Sequence, residues 1–172
     1  MELEKAKAIA EELKTLLEPA CQKIEIAGSI RRRKPEVGDI ELLVIPKFDG
    51  PVDELDKKLK WLIGTRVLEY RPNKKGVITY GPKNKFLRHV ESGIGIDVFS
   101  TTEECWPVAL VVRTGGERTN KKIASLAIKR GMRWHAYGRG FTLASGSELV
   151  CRSEASVFEA VGLPYLEPWE RE

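Results

Sequence analysis

Gly28-Ser29-Ile30-Arg31-Arg32-Arg33, with Gly38-Asp39-Ile40-Glu41-Leu42-Leu43-Val44-Ile45 close behind, sets a cationic glycine turn ahead of an apolar strand that opens with two carboxylates. Side chains alternate across a strand, so Asp39 and Glu41 share one face while Ile40, Leu42 and Val44 share the other. An acid-x-acid pair is commonly just a solvated face. Here Leu43 and Ile45 continue that same face, so the strand is apolar on both sides beyond Glu41 and reads as buried. The charge is confined to the mouth of the strand, where a divalent cation is the usual means of relieving two adjacent carboxylates. A Gly-Ser turn and nearby arginines are what a polyphosphate needs.

A third acid joins them. Gly93-Ile94-Gly95-Ile96-Asp97-Val98-Phe99 reads as a strand with Ile94, Ile96 and Val98 on its buried side. Asp97 then shares the opposite face with Gly93 and Gly95, and glycines in a strand mark a close approach of backbone or ligand. If the two strands are neighbours, three carboxylates converge, with room for two cations about 3.5–4 Å apart.

These motifs, with Thr114-Gly115 and Asn120-Lys121 further on, resemble the nucleotidyltransferase palm of the DNA polymerase beta superfamily, and most nearly the family X DNA polymerases. The ending Gly162-Leu163-Pro164-Tyr165-Leu166 through Glu172 is similar to the chain end of bacterial members. The resemblance implies an α+β fold. Its palm, a mixed sheet with helices on one face, spans residues 1–103. A small, mostly helical C-terminal subdomain with a short sheet spans 104–172. It implies an enzyme using two divalent cations (Mg²⁺ or Mn²⁺) held by Asp39, Glu41 and Asp97. Nucleotide-binding positions would be Gly28, Ser29, Arg32, Gly38, Thr114, Gly115, Glu117, Asn120 and Lys121. In that reading Ser29 and Arg32 hold the terminal phosphates, Thr114 and Gly115 lie against the sugar, Glu117 covers the base and Asn120 reaches its minor-groove edge. Arg71, Lys74, Lys75, Lys83, Lys85 and Arg88 fall in the segment that lies beside nucleic acid in the family.

Three departures from the family pattern stand out. Glu41 replaces the usual second aspartate, Gly95 stands where many relatives have arginine, and Val112-Arg113 replaces a frequent Tyr-Phe. Only 27 residues precede Gly28, which predicts a stripped enzyme with weak, distributive DNA binding and no appended lyase domain.

Composition agrees. The chain has 172 residues, 42% of them hydrophobic, and a net charge of +4, which suits an anionic partner. No apolar run reaches membrane-spanning length, and the N-terminus lacks a signal-peptide core. Cys21, Cys105 and Cys151 are too few and too scattered for a disulfide framework or a zinc site, so a reducing cytoplasm is the expected setting, and the family resemblance implies a prokaryotic or viral origin. The expected partners are primer-template or gapped DNA and nucleoside triphosphates, with the protein a monomer and no membrane involved. Three readings remain open on the sequence: a templated gap-filling polymerase, a transferase acting without template or on RNA or another acceptor, and a non-catalytic nucleic-acid-binding palm.

Local patterns complete the expectation. Leu3, Ala6, Ile9, Leu13, Leu16 and Leu17 predict a helix near 2–18, ended by Glu18-Pro19. Strands are predicted at 23–27, 39–45, 67–70, 77–80, 86–90 and 94–99, with a helix at 53–63. In the second half, helices are predicted from a Thr101/Glu104 capping box through Val112, strained by Pro107, and at 118–130 and after Ser153. Short strands are predicted at 132–135 and 140–143.

Overall fold

The structure, a computed structural model, describes all 172 residues. The chain divides into two compact units: Met1–Ile30 with Lys34–Thr101, and Arg31–Arg33 with Thr102–Glu172.

The first unit opens with α1 (Leu3–Leu17), whose helical stripe Ala6, Ala10, Leu13 and Leu17 is buried. A 3-10 turn containing Pro19 leads to β1 (Cys21–Ile26), then one helical turn, α2 (Gly28–Arg31), and the strand β2 (Asp39–Pro46). A small hairpin of β3 (Phe48–Asp49) and β4 (Val52–Asp53) precedes α3 (Glu54–Gly64), capped by Asp53, whose side chain accepts from the Asp56 amide at 3.0 Å. β5 (Leu68–Tyr70), β6 (Asn84–His89) and β7 (Gly95–Ser100) complete a mixed five-stranded sheet in the order β1-β2-β7-β6-β5. Only β2 and β7 run parallel; the other pairs are antiparallel. α1 and α3 share one core with Ile24, Ile26, Ile40, Leu42, Val44, Ile96 and Val98. The helices therefore cover the face of the sheet opposite to Asp39, Glu41 and Asp97.

The second unit contains α4 (Trp106–Thr114), α5 (Glu117–Lys129), the antiparallel strands β8 (Arg133–Trp134), β9 (Gly140–Thr142) and β10 (Glu148–Val150), and α6 (Glu154–Ala160). Its core gathers Val108, Val111, Ile123, Ala127, Phe141, Cys151, Val157 and Phe158. The fold class is thus α+β, as the sequence implies. No helix is long and apolar enough to cross a membrane.

Two local expectations fail for identifiable reasons. Val77–Tyr80 forms no strand; only single bridges, Pro72 to Ile78 and Tyr80 to Lys85, remain. Asn73 organises this stretch as a turn instead, its side-chain oxygen accepting from the amides of Lys75 at 2.8 Å and Val77 at 3.0 Å. The Thr101/Glu104 box does not open α4, which begins at Trp106. Pro107 then sits in the first turn, where a missing amide proton leaves no bond unmade.

Candidate functional site

Register brings the acids together on one face. β2 and β7 pair Asp39 with Gly95 and Glu41 with Asp97. Strands in a sheet lie about 4.8 Å apart, so Glu41 and Asp97 are immediate neighbours, with Asp39 about 6.6 Å along the same face. Asp39 and Glu41 are half-buried, and Asp97 is 9% exposed.

The side chains are nevertheless held apart, and no three acidic, histidine or cysteine groups lie close enough to grip a metal ion. Glu41 lies against Gly28, at the end of β1 and on the other side of β2 from β7: a Cβ at position 28 would overlap the Glu41 carboxylate. Gly28 has φ +58°, so it is required twice over, by backbone and by space. Asp97 is held from the other direction by an ion pair with Arg71. The register thus sets the three acids on one face of adjoining strands, while their side chains do not gather into a metal-binding group. The donor set itself, three carboxylates on adjoining strands, suits hard divalent cations. A Cβ at Gly38, just before β2, would meet nothing within 4 Å.

The basic residues redistribute. Lys85 pairs with Val98 across β6 and β7, which puts it on the core face rather than the acidic one. It is 2% exposed, donates to the Gly81 carbonyl at 2.9 Å, and sits 5.4 Å from the centre of the Tyr80 ring. Burial pulls its amine below the ordinary lysine range, partly countered by Asp53 and Asp56. The expectation that Lys85 meets nucleic acid is corrected: alternation along β6 turns it inward. Arg71 is likewise committed to Asp97, and Arg88 pairs with Glu69 at 3.1 Å. Lys74, Lys75 and Lys83 are exposed.

In the second unit the arginines of the first motif act as structure. Arg31 donates to the Thr114 hydroxyl at 2.6 Å and forks onto Glu154 at 2.8 and 2.9 Å. Arg171, with no exposed surface, donates to the same Glu154 at 2.8 Å. Burial raises the Glu154 carboxyl, but the two arginines outweigh it and hold it below the ordinary range. Arg32, expected on phosphates, donates to the Thr114 carbonyl and packs on Gly115, its Nε buried without a hydrogen-bond partner. Arg33 lies 3.9 Å from the Trp169 ring centre.

Thr114 is completely buried and so is held by arginines rather than open to a sugar. The Asn120 amide donates to the Val112 carbonyl at 2.9 Å, which ties it to α4 instead of aiming it at a base edge. Glu117 and Lys121 pair one helical turn apart, both largely exposed. Ser29 is half-buried in α2. Glu154 and Arg171 carry no local motif: 123 residues separate Arg31 from Glu154.

Comparison with known proteins adds the family context. Residues 109–172 match the family model for the DNA polymerase beta thumb. Two solved structures of Leishmania infantum polymerase beta are similar over the whole chain at 19% identity. The ternary P/T complex aligns with a TM-score of 0.77 over 76% of its chain, and the ternary gap complex with 0.78 over 70%. No curated protein sequence matches this chain at a significant level. From end to end, this chain has the fold of polymerase beta, a family X polymerase, and its residues 109–172 match the thumb of that family.

Proposed function

We propose that this chain is a metal-dependent DNA nucleotidyltransferase, a minimal template-directed polymerase that adds deoxynucleotides to a primer 3′-hydroxyl and releases pyrophosphate. The observation that carries this reading is the β2–β7 register, which sets Asp39, Glu41 and Asp97 together on the sheet face opposite to the one packed by α1 and α3. The similar solved structures are a polymerase beta in ternary P/T and gap complexes, which supports primed or gapped DNA as the substrate here.

Asp39, Glu41 and Asp97 would hold Mg²⁺ or Mn²⁺. Bound there, the cations would supply charge neutralisation and polarise phosphoryl oxygens. The chain's own residues do the positioning. Gly28 leaves the space in which the Glu41 carboxylate rests. Lys74, Lys75 and Lys83 present exposed charges to phosphates, so affinity falls steeply with salt. The turn between α4 and α5, with Glu117 and Lys121 exposed, meets the incoming nucleotide.

The test is incorporation on a labelled gapped duplex and on single strands, with each nucleotide and Mg²⁺ or Mn²⁺. Template-directed addition is expected. Asp97→Ala is expected to lose at least about 10²–10³-fold in turnover, on the scale of a removed transition-state charge partner, with unchanged circular dichroism. Undiminished incorporation by that variant removes the assigned role. Untemplated tailing points to the transferase reading, and retained binding without incorporation points to a non-catalytic palm.

A further inference from the structure

Arg71 follows β5, and its amide donates to the Phe86 carbonyl at 3.1 Å, so it continues the ladder opposite β6. Phe86 pairs with Asp97, and Asp97 with Glu41. Arg71, Phe86, Asp97 and Glu41 therefore form one row across β6, β7, β2 and the segment that continues β5, all on the acidic face. The Arg71 side chain crosses β6 over the Phe86 ring, 5.6 Å from its centre, to reach Asp97. It can lie there because position 95 is glycine: a Cβ on Gly95 would collide with Arg71 Nη1. The Arg71 side chain keeps 24% of its surface exposed, so solvent and ions have access to it.

A guanidinium paired with the Asp97 carboxylate stands where a cation bound by Asp97 would lie. Its forked donors suit carboxylate and phosphate oxygens equally. Arg71 also begins the loop that carries exposed Lys74 and Lys75.

We propose that Arg71 is the resident counter-ion of the acidic face, lodged in the space left by Gly95, and that it couples divalent-cation binding to nucleic-acid binding. A divalent cation takes Asp97 and releases the guanidinium, and the freed guanidinium takes a phosphodiester of the DNA strand. Each ligand then tightens the other, because binding linkage is reciprocal. Arg71 thus acts on cation binding through Asp97 and on DNA binding by direct contact. This rests on the metal-binding reading of Asp39, Glu41 and Asp97 given above.

The experiment uses the full chain without nucleotide, so no chemistry intervenes. Mn²⁺ binding is followed by electron paramagnetic resonance, and binding of a fluorescent gapped duplex by anisotropy, with and without Mn²⁺. In the wild type, saturating Mn²⁺ is expected to tighten duplex binding about fivefold or more. Arg71→Ala is expected to bind Mn²⁺ about fivefold or more tighter in the absence of DNA, with the Mn²⁺-dependent gain in duplex affinity reduced to under about twofold. Gly95→Ala evicts the guanidinium without deleting it. It should match Arg71→Ala in Mn²⁺ affinity, yet bind duplex more tightly than the wild type when no metal is present.

Unchanged or weaker Mn²⁺ binding by Arg71→Ala, or full coupling in that variant, overturns the proposal. Asp39→Asn separates the two levels. If it weakens Mn²⁺ binding while Arg71→Ala does not strengthen it, only the role of Arg71 falls. If Asp39→Asn leaves Mn²⁺ binding unaltered, the metal reading falls and this proposal falls with it.

Discussion

Replacing Glu154 by glutamine tests whether the second unit is built around a buried charge network. The Glu154 carboxylate receives Arg31 through two nitrogens and Arg171 through a third, at 2.8–2.9 Å. Arg171 is fully buried, and the Glu154 side chain keeps only 12% of its surface. Glutamine preserves shape but removes the charge, so both guanidiniums lose the carboxylate that they share. Removing one partner from a buried pair costs about 3–5 kcal/mol. For a chain of this length, each kcal/mol lowers the melting temperature by about 2–4 °C, so a fall of about 6–20 °C is expected at pH 7. Calorimetry across a pH series adds a second readout. The folded carboxyl titrates below its ordinary value near 4.5. Its contribution is therefore complete above that value and is lost as pH falls through the lower, folded pKa. The wild-type and variant curves should converge through this acid window. A melting temperature within about 2 °C of wild type at pH 7, or an unchanged acid slope, would mean that no such network supports the unit.

Other expectations follow from the same geometry. Gly28→Ala places a Cβ on the Glu41 carboxylate at a left-handed backbone position. It should cost at least about 1–2 kcal/mol in urea unfolding and lower incorporation, and normal values for both would contradict the packing described. Lys85→Met should leave gapped-duplex affinity within about twofold and lower stability by no more than about 1 kcal/mol, the worth of its bond to Gly81. A large loss of DNA binding would return Lys85 to the nucleic-acid surface. Replacing Lys74 and Lys75 by alanine should reduce the slope of log affinity against log salt by about 0.9 for each phosphate that these lysines neutralise. An unaltered slope would show that the loop tip does not meet the duplex.

Whatever depends on local period and spacing was legible in the chain before folding. Alternation from Asp39 to Ile45 set a buried strand with acids at its mouth, and the three-to-four-residue stripes of α1, α3 and α5 marked their inner faces. The ordered motifs carried the polymerase beta resemblance. The partners of the charges were chosen by the fold, because a guanidinium responds to whichever anion lies nearest in space and not to its neighbours in the chain. Arg31 and Arg32 resemble phosphate ligands in their motif, yet they bind Glu154 and Thr114 from far along the chain. Lys85 and Arg71 look alike in a basic segment, but sheet register turned one into the core and laid the other over Gly95 onto Asp97. That register comes from pairing across β5, β6 and β7, which no local pattern specifies.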